Sequence, residues 1–160
     1  MRSAIELGLG TATRSESTLG SWSAGTRAPT SSVRPLACNG AKLRVSPRAE
    51  LAGARVPSDK LPAVDTDLVA VARPNSIALR IAMVAAGEAD LVATLRWGFE
   101  WDIAAAALIA EEAGATVTGA LGQPLAFNTA SGEAFGVLVA TPGIHAAAAD
   151  RLRERALAVV

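Results

Sequence analysis

The sequence has no tyrosine, a single cysteine and no net charge, and these scarcities exclude several classes of protein. Cys38 alone cannot form an internal disulfide framework or a cysteine-rich zinc site, so we expect a reducing compartment, the cytoplasm. The 15 basic residues balance 15 acidic ones, which leaves no charge excess to bind a nucleic acid polymer or an anionic membrane. The absence of an apolar run of about 18 residues argues against a transmembrane helix.

Alanine is abundant and supplies 36 of the 160 residues. Such small side chains favour closely packed helices with little aromatic area, which indicates an α or α/β protein. The length corresponds to one domain, and a chain of this size buries roughly 70% of its unfolded surface, enough for a core. We expect this domain at residues 31–160, after a poorly packed segment at residues 1–30 that is rich in serine, threonine and glycine.

Apolar periodicity and turn residues predict an alternation of strands and helices. Asn39-Gly40 between short apolar runs predicts a hairpin, because both residues tolerate the positive φ of a type I′ turn. Leu68–Ala72 is a continuous apolar run typical of a strand buried on both faces. Helices are predicted at residues 76–86, 103–113 and 142–157. This order predicts an α/β sandwich with a mixed sheet of about five strands.

The segment from Phe99 to Ala115 carries the strongest chemical signal. Asp102 is expected at the start of a helix, where unpaired backbone N–H groups and the positive end of the dipole favour a carboxylate. It could be a plain N-cap or an anchored oxygen ligand. Trp101 before it and four alanines after it favour the ligand, because small residues let the helix N-terminus approach another group closely.

This segment resembles the C-terminal signature of the inositol monophosphatase superfamily of Mg²⁺-dependent phosphatases. Trp101-Asp102, the alanines that follow, Leu108-Ile109-Ala110 and Gly114-Ala115 match that signature position by position. Similar segments continue on both sides, from about Gly20 to Ala158. They are the hairpin at residues 36–46, the small pair, helix and "VAxGxADL" stretch at residues 75–91, the closing strands at residues 116–118, 122–128 and 136–140, and the last helix from Pro142.

The resemblance implies the C-terminal αβ domain of that fold and a reaction in which carboxylate-held Mg²⁺ ions polarise a phosphate ester and activate water. By position, Asp102 matches the C-terminal metal ligand, and Asn75 and Ser76 match the small pair that contacts substrate phosphate and sugar. Asn75 replaces the usual glycine, although asparagine also tolerates positive φ. Arg96 and Glu100 lie in a stretch that looks most like the 3′(2′),5′-bisphosphate nucleotidase branch, and they join the substrate-binding candidates. Arg96 would bind a second nucleotide phosphate or would be an ordinary surface arginine.

The family's other metal ligands have no counterpart in Met1–Pro35, which lacks both the glutamate segment and the "Asp-Pro-Ile-Asp-Gly-Thr" motif. Asp65-Thr66-Asp67 follows the hairpin and is predicted to be a solvated loop, not a replacement metal site. The chain is therefore expected to be the C-terminal half of a phosphatase.

We expect a Mg²⁺-dependent phosphomonoesterase that acts on a small phosphorylated metabolite, an inositol phosphate or a 3′,5′-bisphosphonucleotide, and that is weakly active or inactive as this chain alone. The alternative is a non-catalytic remnant or binding module that retains the fold. A generic nucleotide-binding domain would need a glycine-rich phosphate loop, which the sequence lacks. Without its other half, the domain should expose an apolar surface and form homo-oligomers or aggregates.

Overall fold

The computed structural model describes residues Leu36–Val160, which form helices and strands in alternating order. The segment predicted to be poorly packed, residues 1–30, lies outside the described residues. The helices are α1 (Ile77–Ala85), α2 (Glu100–Glu112) and α3 (Pro142–Leu157). The strands are β1 (Ala37–Cys38), β2 (Ala41–Lys42), β3 (Arg55–Pro57), β4 (Val69–Val71), β5 (Leu91–Phe99), β6 (Thr116–Thr118) and β7 (Glu133–Ala140).

The strands confirm the α/β class but pair into three sheets instead of one mixed sheet of about five strands. β1 and β2 form the predicted hairpin, with Asn39 at φ 51° and Gly40 at φ 82° in its turn. β3 and β4 pair in parallel, whereas β5, β7 and β6 form an antiparallel sheet with β7 at its centre. Parallel and antiparallel pairs therefore lie in separate sheets among the described residues.

β4 shows that an apolar run does not guarantee burial. The run Leu68–Ala72 predicts a strand buried on both faces. The predicted burial is wrong, because Val69 is 47% exposed and Ala70 is exposed as well. The strand itself is present as Val69–Val71, and it is paired with β3 in a two-stranded sheet. Side chains project from the faces of a sheet, so the exposure of Val69 and Ala70 shows that both faces of β4 are open to solvent at these residues.

The core lies on both faces of the antiparallel sheet, because side chains along β7 alternate between them. Val137 and Val139 face a buried cluster with α1 and α2, and Leu138 faces a second cluster with α3. Alanines of α2, including Ala106 and Ala110, are buried against α1, which brings these two helices close together. The result is a helix, sheet and helix sandwich.

The helix ends follow local sequence signals closely. Ser76 Oγ accepts a hydrogen bond of 3.2 Å from Leu79 N, so the predicted cap of α1 is confirmed. Gly87 follows α1 at φ 70° and Gly114 follows α2 at φ 96°, both in the left-handed region that glycine adopts easily. Within the described part of the chain, no helix combines the length and the apolar character needed to cross a bilayer.

Asp90 joins parts of the fold that are far apart in sequence. Its carboxylate is completely buried and accepts hydrogen bonds from Ser46 Oγ at 2.5 Å, Arg48 Nε at 3.1 Å and Arg55 Nη2 at 2.7 Å. Its backbone carbonyl accepts a bond of 3.1 Å from Thr141 N at the start of α3. Burial alone would raise the pKa of Asp90, but the hydrogen bonds from Arg55 and Ser46 hold this pKa well below its usual range.

Replacement of Asp90 by asparagine should lower the free energy of unfolding by about 3 kcal/mol, because it leaves the Arg55 and Arg48 guanidinium groups without their anion. The pKa of Asp90 is lower in the folded than in the unfolded protein. Its contribution to stability is therefore fully present above about pH 4 and is lost as the pH falls further. Urea unfolding of wild type and Asp90→Asn between pH 2.5 and 7 measures both effects, with the exposed Asp150→Asn as control. An equal stability difference at every pH would contradict the assignment.

Candidate functional site

The N-termini of two helices open onto one cleft of about 500 Å³. Asn75–Ala78 contribute the N-cap and first residues of α1, and Trp101 and Asp102 contribute the second and third residues of α2. Arg80 and Arg96 complete the lining. The first N–H groups of a helix lack intrahelical partners and carry the positive end of its dipole, so the cleft favours an anion.

Asp102 lies in this cleft as an exposed carboxylate with no hydrogen bond to any of the described residues. The predicted N-cap role is wrong, because α2 begins at Glu100 and Phe99 occupies the cap position without a side-chain hydrogen bond. In the first turn of the helix, the carboxylate of Asp102 is available to a ligand while it remains close to the positive end of the dipole.

Asn75 and Ser76 line the same cleft as Asp102, so the structure brings these three predicted site residues together. Ser76 Oγ already accepts the capping hydrogen bond from Leu79 N, which fixes the hydroxyl at the N-terminus of α1. Among the described residues other than glycine, only Asn39 and Asn128 have positive φ. The turn at Asn75 therefore needs no left-handed residue, and the replacement of the family's glycine is accommodated.

Arg96 reaches the cleft because β5 has an irregularity at this point. Thr94 is opposite Val137 and Trp97 is opposite Phe135, so β5 has one extra residue between these pairs. Such a bulge changes the direction in which a side chain points. Gly136 makes it possible, since it has φ 63° and a Cβ there would lie 2.5 Å from the carbonyl oxygen of Thr94.

Glu100, predicted to bind substrate, does not line the cleft. Its side chain is 6% exposed and accepts hydrogen bonds from Asn128 N at 2.5 Å, from Thr129 N at 3.2 Å and from Thr129 Oγ1. Hydrogen bonding to Thr129 is the main reason why the pKa of Glu100 is lowered. Glu100 therefore anchors the loop at residues 128–132 to the start of α2, and we assign it a positioning role.

The aromatic residue Trp101 lines the cleft, and Trp97 and Phe99 line an adjacent hollow of about 350 Å³. Phe99 and Trp101 stack with ring centroids 4.4 Å apart, and Trp101 is 66% exposed. Trp97 contacts Phe135 edge to face at 5.5 Å and remains exposed. This exposed aromatic face is the kind of apolar surface expected from the sequence, and the association inferred from it stays a prediction.

The described residues do not by themselves form a complete magnesium site. Between Leu36 and Val160 no three histidine, cysteine, aspartate or glutamate side chains are grouped as metal ligands. Asp65 is buried and bound by Arg155 at 2.7 and 3.2 Å, so the prediction of a solvated loop is wrong at this residue. Asp102 fits as one oxygen ligand of a hard cation, and the remaining ligands must come from phosphate, water and other carboxylates.

Arg80 is a cleft residue that the apolar pattern does not predict. It lies on α1 within the run Ile77–Ala85, where the available signal is a single charged residue in an otherwise apolar helix. A charge at such a position normally points to solvent, whereas Arg80 is buried at the side of the cleft.

Replacement of Glu100 by glutamine should lower the thermal unfolding midpoint and increase proteolysis in the loop at residues 128–132. The new amide NH₂ would face the backbone N–H groups of Asn128 and Thr129, and one of these would lose its acceptor. Because the pKa of Glu100 is lowered in the folded protein, its stabilising effect is present above about pH 4.3 and fades below it. Glu112→Gln, an exposed change in the same helix, is the control. Equal midpoints and cleavage rates in both variants would refute the positioning role.

The chain is similar to a family model and to several solved structures. The family model described as the inositol monophosphatase family matches residues 10–160. This match begins before Gly20, the residue at which the sequence resemblance was expected to start. Comparison with curated proteins gives no match. The inositol monophosphatase of Thermotoga maritima is 25% identical with a TM-score of 0.59, and the match covers 76% of this chain and 49% of that one.

Two further structures give the same picture. The enzyme from Anabaena is 27% identical with a TM-score of 0.55, and 76% of this chain and 50% of that one are covered. A staphylococcal enzyme with inositol monophosphate bound is 25% identical with a TM-score of 0.57. That match covers 71% of this chain and 46% of the staphylococcal one. The chain thus spans about half the length of the solved structures it matches. Because the family model covers most of its sequence, the chain belongs to the inositol monophosphatase family.

Proposed function

We propose that this chain supplies one wall of the active site of a Mg²⁺-dependent phosphomonoesterase that acts on a small phosphorylated metabolite. The observation that carries the proposal is the meeting of Asp102 with the N-termini of α1 and α2 in a single cleft. Membership of the inositol monophosphatase family supports a phosphatase-type hydrolase. The cytoplasmic location inferred from the sequence stays a prediction.

The charges in the cleft suit a phosphate together with a cation. The helix N-termini and Arg96 attract a phosphate group, but Asp102 would repel it at close range. Asp102 is proposed to hold a divalent cation, whose charge would remove this conflict. When bound, Mg²⁺ polarises the ester and stabilises the leaving oxygen.

The other residues of the cleft would bind and orient the substrate. The backbone N–H groups at the start of α1 are positioned to donate to phosphate oxygens, and the capped Ser76 fixes that turn. Asn75 and Ser76 are proposed to contact the phosphate and the sugar or inositol ring. A staphylococcal relative was solved with inositol monophosphate bound, which supports a ligand of this size and chemistry.

A second candidate is a binding module that keeps the fold without hydrolysis. The observation that favours it is that the described residues offer one cleft carboxylate and no group of three metal ligands. Such a protein would bind a phosphorylated metabolite through the helix N-termini and leave the ester intact.

A phosphatase assay distinguishes the two candidates. Inositol 1-phosphate, fructose 1,6-bisphosphate and adenosine 3′,5′-bisphosphate would each be incubated with the purified chain, with and without Mg²⁺, and released phosphate would be measured. We expect slow turnover that depends on Mg²⁺, because a single cleft carboxylate holds the ion weakly. Binding of a substrate without any release of phosphate at saturating Mg²⁺ would favour the binding module.

Asp102→Asn should abolish most of the Mg²⁺ binding and the residual turnover, because it removes the charge of the only carboxylate that lines the described cleft. Stability should change by less than about 1 kcal/mol, since Asp102 is exposed and loses only its interaction with the helix dipole. Calorimetric Mg²⁺ titrations and thermal unfolding measure the two effects. Asp150→Asn is the matched control on α3 and should behave as wild type. Identical titrations for Asp102→Asn and wild type would remove Asp102 as a metal ligand.

A further inference from the structure

A pocket of about 280 Å³ lies on the α3 side of the antiparallel sheet. Its walls come from the segment at residues 51–68, from β5 and from α3, and Arg80 is the only residue that it shares with the cleft of Asp102. Apolar walls of this kind hold water poorly and favour an apolar ligand. Most of the wall is formed by leucine side chains, namely Leu51, Leu61, Leu68, Leu91, Leu95 and Leu152.

Arg80 brings a buried positive charge to the border of this pocket. The residue is 6% exposed, and its Nε is buried without a hydrogen-bond partner. Among the described residues, no carboxylate lies within ion-pair distance of its guanidinium. Burial is the main reason why the pKa of Arg80 is lowered. A desolvated cation of this kind is unfavourable unless an anion binds beside it.

The other charged side chains of the pocket already have partners. Its three remaining arginines each bind one aspartate, and the pairs are Arg73 with Asp59 at 2.8 Å, Arg151 with Asp67 at 2.8 Å and Arg155 with Asp65 at 2.7 Å. Asp65 also lines the pocket, and its charge is neutralised by Arg155. In the part of the chain that the structure describes, Arg80 therefore supplies the single uncompensated charge of the pocket.

We propose that this pocket binds a small apolar monocarboxylic acid, with the carboxylate at Arg80 and the hydrocarbon part against the leucines. A guanidinium donates two parallel hydrogen bonds that match the two oxygens of a carboxylate. One uncompensated arginine balances one negative charge, whereas the apolar walls would leave the second charge of a phosphate dianion unsolvated. The site is separate from the proposed phosphatase reaction, and its occupancy is measurable without any turnover.

The test compares ligands that carry the charge, the hydrocarbon chain or both. At about 30 Å³ for each group the size of a water molecule, the pocket accommodates roughly nine non-hydrogen atoms, so octanoate is a suitable probe. Octanoate, 1-octanol and acetate would each be titrated calorimetrically into the purified full chain. Octanoate should bind about tenfold more tightly than 1-octanol, which lacks the charge, and than acetate, which lacks the chain.

Arg80→Met should weaken octanoate binding about tenfold and leave 1-octanol binding nearly unchanged, because methionine keeps the apolar stem and removes the guanidinium. The variant is expected to fold, since it removes a buried charge that has no partner among the described residues. Arg80→Lys retains a charge and should keep part of the preference for octanoate. Arg153→Met removes one positive charge from an exposed site on α3 and should bind both ligands as wild type does.

Leu61→Ala tests the apolar wall at a residue that does not line the cleft. It should weaken octanoate and 1-octanol by the same factor, about fivefold to tenfold, because both lose contact with the same side chain. Leu61 lies in a loop and is only partly buried, so this variant tests the pocket even if Arg80→Met fails to fold. Leu157→Ala is the matched control, since Leu157 is exposed on α3 and does not line the pocket.

Two results would overturn the proposed acid site. The first is an absence of octanoate binding, or equal affinities for octanoate and 1-octanol in the wild type. The second is a loss of octanoate binding in Arg80→Met together with wild-type binding in Leu61→Ala, because the acid would then bind at the cleft border of Arg80 and outside the pocket. Octanoate binding that is weakened in both variants supports the site, whether or not any phosphatase activity is found.

Discussion

The buried ionic cluster around Asp90 is the constraint on which the described fold depends. One carboxylate with no exposed surface holds Ser46 after the hairpin, Arg48 in the next loop and Arg55 at the start of β3. Asp90 also immediately precedes β5, and its carbonyl holds the start of α3. Asp90 therefore joins segments that do not belong to one sheet. Removal of one partner from this cluster would leave a buried charge without its counter-ion.

The geometry of the candidate site depends on β5, the strand that directly follows Asp90. β5 runs from Leu91 towards the cleft, presents Arg96 at its bulge and leads through Phe99 directly into α2. The alanines of α2 allow it to lie close to α1, so the two N-termini share one cleft. Glu100 then ties the start of α2 to the loop at residues 128–132. Small residues and a backbone irregularity thus matter to the site as much as its charged side chains do.

The electrostatics of the cleft combine opposite requirements. Helix N-termini and arginines favour an anion, whereas Asp102 favours a cation, and all of them border the same volume. The proposed phosphate, bound together with a divalent metal ion, would satisfy both requirements. A chain with equal numbers of acidic and basic residues can therefore carry a locally charged cleft, since the local distribution of charge sets the potential there and the net charge does not.

The sequence alone determined the features that depend on neighbouring residues. The Asn39-Gly40 hairpin, the cap at Ser76 and the glycine that ends each of α1 and α2 follow from local backbone preferences. The resemblance to the family also indicated Asn75, Ser76 and Asp102, which the structure places around one cleft. These three residues were indicated by their match to the family's motifs, whereas the hairpin, the cap and the helix-ending glycines follow from preferences that act within one turn.

Only the tertiary structure decided the features that depend on distant partners. β4 is exposed at Val69 and Ala70 because no other part of the described chain covers these side chains, and Asp65 is a buried carboxylate that Arg155 of α3 pairs. Glu100 turns away from the cleft because the backbone at residues 128 and 129 supplies its hydrogen bonds. Arg80 becomes a buried cation only when α1 packs beside β5. The physical reason is the same in each case, since burial and charge pairing are set by groups that meet only when the chain has folded.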